Sequence, residues 1–109
     1  MDQTLKYAEI LTQVLREKSK TKYKLQPRLK LVASCDRESG QFLLVKLGWD
    51  REHWVHQIIF HAQFVGNKIV IEADQTEGLK PLLLEAGIPP EAFLSDQERD
   101  RMEEEKFAA

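Results

Sequence analysis

The fold is decided by residues 68–77, whose sequence is KIVIEADQTE. Ile69 and Ile71 alternate with Val70 and Glu72, which puts the two isoleucines on one side of an extended chain and their neighbours on the other. This period of two is typical of a strand that buries one face and exposes the other. The stretch therefore predicts a strand that ends near residue 73, with Val70 and Glu72 directed outward.

Polar residues directly after this strand predict the start of a helix. Asp74 or Thr76 can accept hydrogen bonds from the first free backbone amides, and Glu77 would interact favourably with the positive end of the helix dipole. Gly87 can end the helix in a left-handed conformation. Within it, apolar residues recur at helical spacing: Leu79, Leu82, Leu83 and Ala86.

Upstream, three more segments have the pattern of strands. They cover residues 28–36, 41–49 and 53–64, with polar turns at residues 36–40, 50–52 and 65–67. Four consecutive strands joined by tight turns predict an antiparallel meander.

Two further segments are predicted to be helical, one at each end of the chain. Residues 2–18 carry the apolar stripe of an amphipathic helix, in which Asp2 or Thr4 could act as the cap. Ser95 and Glu98 have the spacing of a capping box for a short C-terminal helical segment. Because one face of the sheet must be covered by helices, we expect a single α+β domain over residues 1–109.

Several of these features together resemble a known family. They are the strand and corner at residues 68–77, the pair Gly48-Trp49, the histidines His56 and His61, and the sequence Gly87-Ile88-Pro89. In combination they are similar to the XisI family of cyanobacterial fdxN-element excision controlling factors, and the match covers most of the chain. The acidic sequence after Leu94 departs from the family pattern.

This resemblance implies a small accessory factor that controls the excision of a DNA element. Such a factor would act beside a site-specific recombinase and a companion protein, XisH, and would regulate recombination without performing it. We therefore expect a protein-interaction module whose main partner is a XisH-type companion. We also expect a homo-oligomer, because the predicted sheet offers exposed edges and tryptophans for association.

The residues that we consider candidates for protein contact are Gly48, Trp49, Trp54, His56, His61, Asp74, Thr76 and Glu77. Each has a simpler structural interpretation. The tryptophans could pack across the hairpin, the histidines could form hydrogen bonds across the sheet, and Asp74 could be a helix cap. Exposed tryptophan is nevertheless a frequent anchor of protein interfaces.

Two alternative functions follow from the distribution of charge. The net charge is −2, but basic residues are concentrated between residues 16 and 30, and the C-terminal residues are acidic. The basic segment could bind DNA directly, and its candidate contacts are Lys18, Lys20, Lys22, Lys24 and Arg28. The acidic tail could instead imitate DNA in a basic groove, as in an antitoxin or immunity protein that neutralises a nuclease-like companion.

The sequence provides no support for catalysis, so we predict that the chain is not an enzyme and has no cofactor or metal. In an unbroken strand His53 and His61 would share one face and His56 would take the other, and the first pair would lie about 26 Å apart. Cys35 is the only cysteine, and it falls in an apolar register where a small buried side chain is the simplest explanation. Phosphate-binding loops and nucleophile elbows are also missing from the sequence.

The distribution of apolar residues excludes a membrane-spanning segment, since no run of about 18 apolar residues occurs. The first residues, MDQT, lack the basic and then apolar pattern of a signal peptide. We therefore expect a cytoplasmic protein that does not contact a membrane.

Overall fold

The computed structural model describes residues 3–76, 78–95 and 97–101. Its elements are α1 (Gln3–Ser19), β1 (Leu29–Asp36), β2 (Gln41–Asp50), β3 (His53–Val65), β4 (Lys68–Asp74), α2 (Leu79–Glu85) and a 3-10 turn (Pro90–Ala92). The four strands form one antiparallel sheet in the order β1-β2-β3-β4. The predicted α+β class and the predicted meander are confirmed. Among the described residues, no helix is long and apolar enough to cross a membrane.

Both helices pack on the same face of the sheet, which we call the helix face. The alternation of apolar residues in the strands directs one set of side chains towards α1 and α2, and these side chains form the core. Its fully buried members include Leu11 and Leu15 of α1, Phe42, Leu44, Phe60 and Ile69 of the sheet, and Leu79 and Leu83 of α2. The sheet face that remains is the outer face.

A β-bulge interrupts β3 and corrects the prediction for the histidines. Leu44 pairs with Phe60 and Val45 pairs with Ile58, so Ile59 is an extra residue on β3. Because one extra residue inverts the alternation, His56 and His61 share the outer face instead of lying on opposite faces. His53 pairs with Asp50 and points to the other side of the sheet.

The start of α2 differs from the prediction. Asp74 Oδ1 accepts hydrogen bonds from the Thr76 backbone N–H, at 2.9 Å, and from Thr76 Oγ1, at 2.5 Å, which closes an Asx turn before the helix begins. The N-cap is Gly78, in the left-handed conformation and with no side-chain hydrogen bond. The prediction that Asp74 or Thr76 caps the helix was therefore wrong. Glu77, Asp2 and the acidic residues Asp96 and 103–105 lie outside the described part of the chain.

The C-terminal segment crosses the edge of the sheet at β4. The Leu94 backbone N–H donates to the Ile69 carbonyl at 2.8 Å. The Ser95 half of the predicted capping box is confirmed, because the Glu98 N–H donates to Ser95 Oγ at 3.1 Å. The Glu98 carboxylate in turn accepts from Ser95 Oγ at 3.1 Å. Residues 97–101 are helical.

Two ion pairs then place this helical segment against the outer face of β4. Lys68 Nζ lies 3.8 Å from Glu98 Oε2, and Arg99 Nη1 lies 2.6 Å from Glu72 Oε1. Val70 stands between Lys68 and Glu72 and is only 2% exposed, although it lies on the outer face as predicted.

Candidate protein-interaction surface

The outer face carries side chains of β1, β2 and β3 in rows that run across the strands. Directly paired residues share a face in an antiparallel sheet, so the observed registers define each row. The middle row is Val32, Val45 and Ile58, and the two rows beside it are Ser34, Leu43 and His61, and Lys30, Leu47 and His56. Asp36, Gln41 and Gln63 form the row at one end, and Trp49 and Trp54 form the row at the other end.

Much of this surface is apolar and open. Ile58 is 43% exposed, and Val32 and Trp54 are exposed as well. Both helices pack on the opposite face, and the described C-terminal segment reaches only the β4 side of the outer face. A soluble domain usually hides such an apolar sheet face against another layer, so an open one indicates an interaction surface.

A chain of hydrogen bonds crosses one end of the outer face. His61 Nε2 donates to Gln41 Oε1 at 2.6 Å, Gln41 Nε2 donates to Gln63 Oε1 at 2.9 Å, and Gln63 Nε2 donates to Glu72 Oε2 at 2.5 Å. Arg99 completes the chain through its bond to Glu72. Because the Gln41 oxygen can only accept, the contact assigns the proton of a neutral His61 ring to Nε2. The predicted cross-sheet hydrogen bond of His61 is thus confirmed.

At the other end of the outer face, apolar and cationic side chains form a cluster that we call the tryptophan tip: Leu25, Arg28, Trp49 and Trp54. The two indole rings meet edge to face at 5.4 Å, and the Arg28 guanidinium lies 5.5 Å from the centre of the Trp49 ring. Leu25 is 97% exposed and Trp54 is 57% exposed. Tryptophan and arginine are the residue types most enriched at the energetic centres of protein interfaces.

Gly48 shapes this tip without being part of its surface. It has φ of +129°, and a Cβ at this position would lie 2.0 Å from the Arg28 carbonyl oxygen. Gln26 Nε2 also donates to Asp50 Oδ1 at 2.6 Å, which holds the preceding loop against the hairpin. Glycine is therefore required here so that the segment carrying Leu25 and Arg28 can approach Trp49.

The basic segment forms a separate surface at the end of α1. Lys20, Lys22, Lys24 and Lys30 line one hollow together with Tyr23, whose ring is also contacted by Lys46 at 5.0 Å. Lys20 makes an exposed ion pair with Glu17 at 3.0 Å. Lys18 lies in the last turn of α1, whereas Arg28 belongs to the tryptophan tip. The structure thus brings three of the five predicted nucleic-acid contacts together.

Comparison with known proteins agrees with the predicted family. The family model described as XisI protein matches residues 1–108, which is nearly the whole chain. The chain belongs to the XisI family.

Two solved structures from Anabaena variabilis resemble this XisI-family chain. One is a XisI-like protein, with a TM-score of 0.73 and 17% sequence identity over 84% of each chain. The other is the fdxN element excision controlling factor XisI, with a TM-score of 0.61 and 23% identity over 84% of this chain and 90% of the other. At these identities the likeness shows a shared fold. None of the curated proteins compared with the chain matches it.

The remaining candidate residues of this XisI-family chain do not converge. His56 pairs with Leu47, four positions along β2 from the partner of His61, so the two rings are separated by roughly 13 Å of strand. Asp74 and Thr76 are engaged with each other in the Asx turn. Among residues 3–76, 78–95 and 97–101, no three or more His, Cys, Asp and Glu side chains are grouped so that they could hold a metal ion.

Cys35 has the environment that its apolar register predicts. It lies on the helix face opposite Phe42 and packs against the core. Burial raises the pKa of its thiol, and a hydrogen bond with Thr12 and the nearby charge of Arg16 oppose this effect only in part. A thiol with a raised pKa is a poor nucleophile, because the reactive species is the thiolate.

The sequence analysis missed several residues of the open surface, among them Leu25, Val45 and Ile58. Leu25 lies in a polar basic loop, where a single leucine gives no periodic signal. Val45 and Ile58 lie in strands with apolar residues on both faces, so alternation did not separate core from surface. A strand with apolar residues on both faces is itself a sign that both faces are covered, and this sign was available in the sequence of β2.

Proposed function

We propose that this chain is a non-catalytic accessory factor that controls site-specific excision of a DNA element. It acts through protein contact with a XisH-type companion, and through that companion it influences a site-specific recombinase. Membership of the XisI family supports this proposal, as does the fold shared with a structure described as an excision controlling factor. We expect the factor to act in the cytoplasm.

The observation that carries the proposal is the tryptophan tip. Trp49, Trp54 and Leu25 present apolar surface to solvent, and Arg28 holds a cation against the same surface. The cluster has the size and composition of an interface anchor that inserts into a pocket of another protein. Its side chains are two indoles, a leucine and a guanidinium, which are not among the usual general acids and bases of enzymes. We therefore assign the companion contact to this end of the sheet.

Co-expression with the XisH-type companion tests this assignment. The complex is purified by a tag on the companion, and its mass is measured by light scattering at low and high salt. We expect a stable mixed complex that persists at high salt, because the contact is largely apolar. Exchange of Leu25→Ser should weaken it, whereas Leu5→Ser should not, since Leu5 is 60% exposed on α1, away from the tip. A companion that never retains this chain would contradict the proposal.

An excision assay tests the regulatory role. A purified recombinase and a DNA substrate carrying the element are incubated with the companion, with and without this chain. We expect the chain to change the extent of excision only when both the recombinase and the companion are present, and to leave DNA intact when it is added alone. Cleavage of DNA by the chain alone would contradict a non-catalytic role.

Direct DNA binding is the second candidate function, and the basic hollow favours it. Lys20, Lys22, Lys24 and Lys30 converge around Tyr23, so that a phosphate backbone could be neutralised at several points. This binding would be weak and independent of sequence, because the net charge of the whole chain is −2.

Salt dependence separates DNA binding from companion binding. If the hollow binds phosphates, the logarithm of affinity for a duplex should fall linearly with the logarithm of salt concentration. Replacing Lys20, Lys22 and Lys24 with Gln should then reduce the slope. The matched control replaces Lys6, Arg37 and Lys80 with Gln, which changes the net charge equally at positions outside the hollow. Equal loss in both triple variants would show that only net charge matters, and would reject the hollow as a site.

A further inference from the structure

We propose that the outer face of the sheet binds the outer face of a second copy of this chain. The result is a symmetric dimer with four layers, in which the two sheets face each other and the helices lie outside. The contact is centred on the middle row, Val32, Val45 and Ile58, which is apolar from β1 to β3. The proposal concerns the purified chain alone. A XisH-type companion that binds Trp49 and Trp54 would compete for one end of this face, because that row is counted in the dimer contact.

The open area of the face is close to what a dimer requires. Three strands and five rows give a surface of roughly 14 Å by roughly 33 Å, or roughly 460 Å² of flat sheet in each copy. Two copies would cover roughly 920 Å² before the relief of the side chains is added, compared with about 1,000 Å² for a small specific interface. We therefore expect a dimer that dissociates on dilution.

The chain already covers part of this face with its own residues. On the β4 side, the helical segment at residues 97–101 lies against the sheet and Val70 is buried. The neighbouring strands continue the same surface without such a cover in the described part of the chain. A second copy would extend the buried layer from β4 across β3 and β2 to β1.

The polar groups at one end of the face are compatible with burial. His61, Gln41, Gln63 and Glu72 are linked to one another by hydrogen bonds, so each of these side chains keeps at least one partner when the face is covered. Lys30 is the only Lys, Arg, Asp or Glu in the three middle rows, and it lies on the edge strand, where its ammonium can reach solvent. Two copies can therefore approach without bringing like charges together at the centre of the contact.

Symmetry gives the proposal a specific signature. Val45 occupies the middle strand of β1–β3 and the middle row, so in a symmetric pair it lies near the two-fold axis and contacts its own copy. Val45→Glu places two carboxylates together, and Val45→Lys places two ammonium groups together. A mixture of the two variants brings opposite charges together instead.

Sedimentation velocity on the purified chain, from low to high micromolar concentration, tests the dimer. We expect the mass to rise from that of one chain to that of two. Ile58→Glu should weaken association roughly a hundredfold or more, because a carboxylate loses its water at the interface. Leu82→Glu is the matched control: Leu82 is also 43% exposed, but lies on α2, and this variant should dimerise like the unmodified chain.

The outcomes decide the proposal in either direction. Monomeric Val45→Glu and Val45→Lys variants that form a mixed dimer when combined would support it, with circular dichroism confirming that each is folded. If either Val45 variant fails to fold, the comparison of Ile58→Glu with Leu82→Glu decides. An unmodified chain that stays monomeric at all concentrations would overturn the proposal, and so would a dimer that Ile58→Glu does not weaken.

Discussion

Arg99 donates a hydrogen bond from Nη1 to Glu72 Oε1 over 2.6 Å, and this contact fixes the last described residues of the chain on the outer face of β4. The same carboxylate accepts a bond from Gln63, so the C-terminal segment is connected to the hydrogen-bond chain that crosses the sheet. The helical segment at residues 97–101 is therefore part of the folded domain and borders directly on the proposed dimer interface.

A double-mutant cycle on this pair should give a coupling free energy of about 1 kcal/mol in urea unfolding, using Glu72→Gln and Arg99→Gln. The value is modest because, within the described residues, Arg99 Nε is buried with no hydrogen-bond partner, which offsets part of the gain. The matched control is the cycle on Lys68 and Glu98, which are 3.8 Å apart and more exposed, and its coupling should be close to zero. Equal coupling in both cycles would show that the shorter, less exposed pair of Glu72 and Arg99 is no stronger than the pair of Lys68 and Glu98.

Ser95→Ala should lower the free energy of unfolding by about 1 kcal/mol. Ser95 Oγ accepts a hydrogen bond from the Glu98 N–H at 3.1 Å, and alanine cannot satisfy this amide. Hydrogen exchange of residues 97–101 should become faster, since the helical segment loses its cap. The control is Ser39→Ala: Ser39 donates to Asp36 in an exposed turn, and its loss should leave exchange in residues 97–101 unchanged.

Local patterns predicted the elements of this fold because each pattern reflects nearby residues only. Ile69 and Ile71 identify β4, and Leu79 and Leu83 identify α2, without reference to the rest of the chain. The contact of Glu72 with Arg99 joins residues 27 positions apart and depends on how the chain turns at the edge of the sheet. Nothing in either local sequence specifies that contact, so the covering of Val70 could not be foreseen.

The β-bulge at Ile59 is a second feature that local patterns could not supply. Two consecutive isoleucines satisfy either face of a strand, so the sequence is equally compatible with an unbroken register. Pairing with β2 decides the outcome, because Phe60 must meet Leu44 in the core while Ile58 meets Val45 on the outer face. This shift is what unites His56 and His61 on one face and makes the middle row apolar.

Gly48→Ala should be strongly destabilising, by at least about 3 kcal/mol in urea unfolding. Its Cβ would lie 2.0 Å from a backbone oxygen, and its φ of +129° is unfavourable for any other residue. Gly66→Ala is the control, since Gly66 has φ of +65° and nothing within 4 Å of the added carbon. We expect it to cost about 1 kcal/mol, which is the usual penalty for a left-handed alanine. Similar losses in the two variants would show that the close approach at Arg28 does not matter.

Cys35 should make stability fall with rising pH in the alkaline range. Burial raises the pKa of its thiol in the folded chain above that in the unfolded chain, so the unfolded chain releases this proton first. The contribution of Cys35 is therefore fully present below the pKa of the thiol in the unfolded chain and is lost as pH rises through its raised pKa in the folded chain. Urea unfolding between about pH 7 and about pH 10 should show a smaller loss of stability in Cys35→Ala than in the unmodified chain. Other groups also titrate in this range, so the difference between the two chains is the quantity to measure, and identical profiles would contradict the raised pKa. As an independent check, iodoacetamide at about pH 8 should alkylate Cys35 roughly tenfold more slowly in the folded chain than in urea.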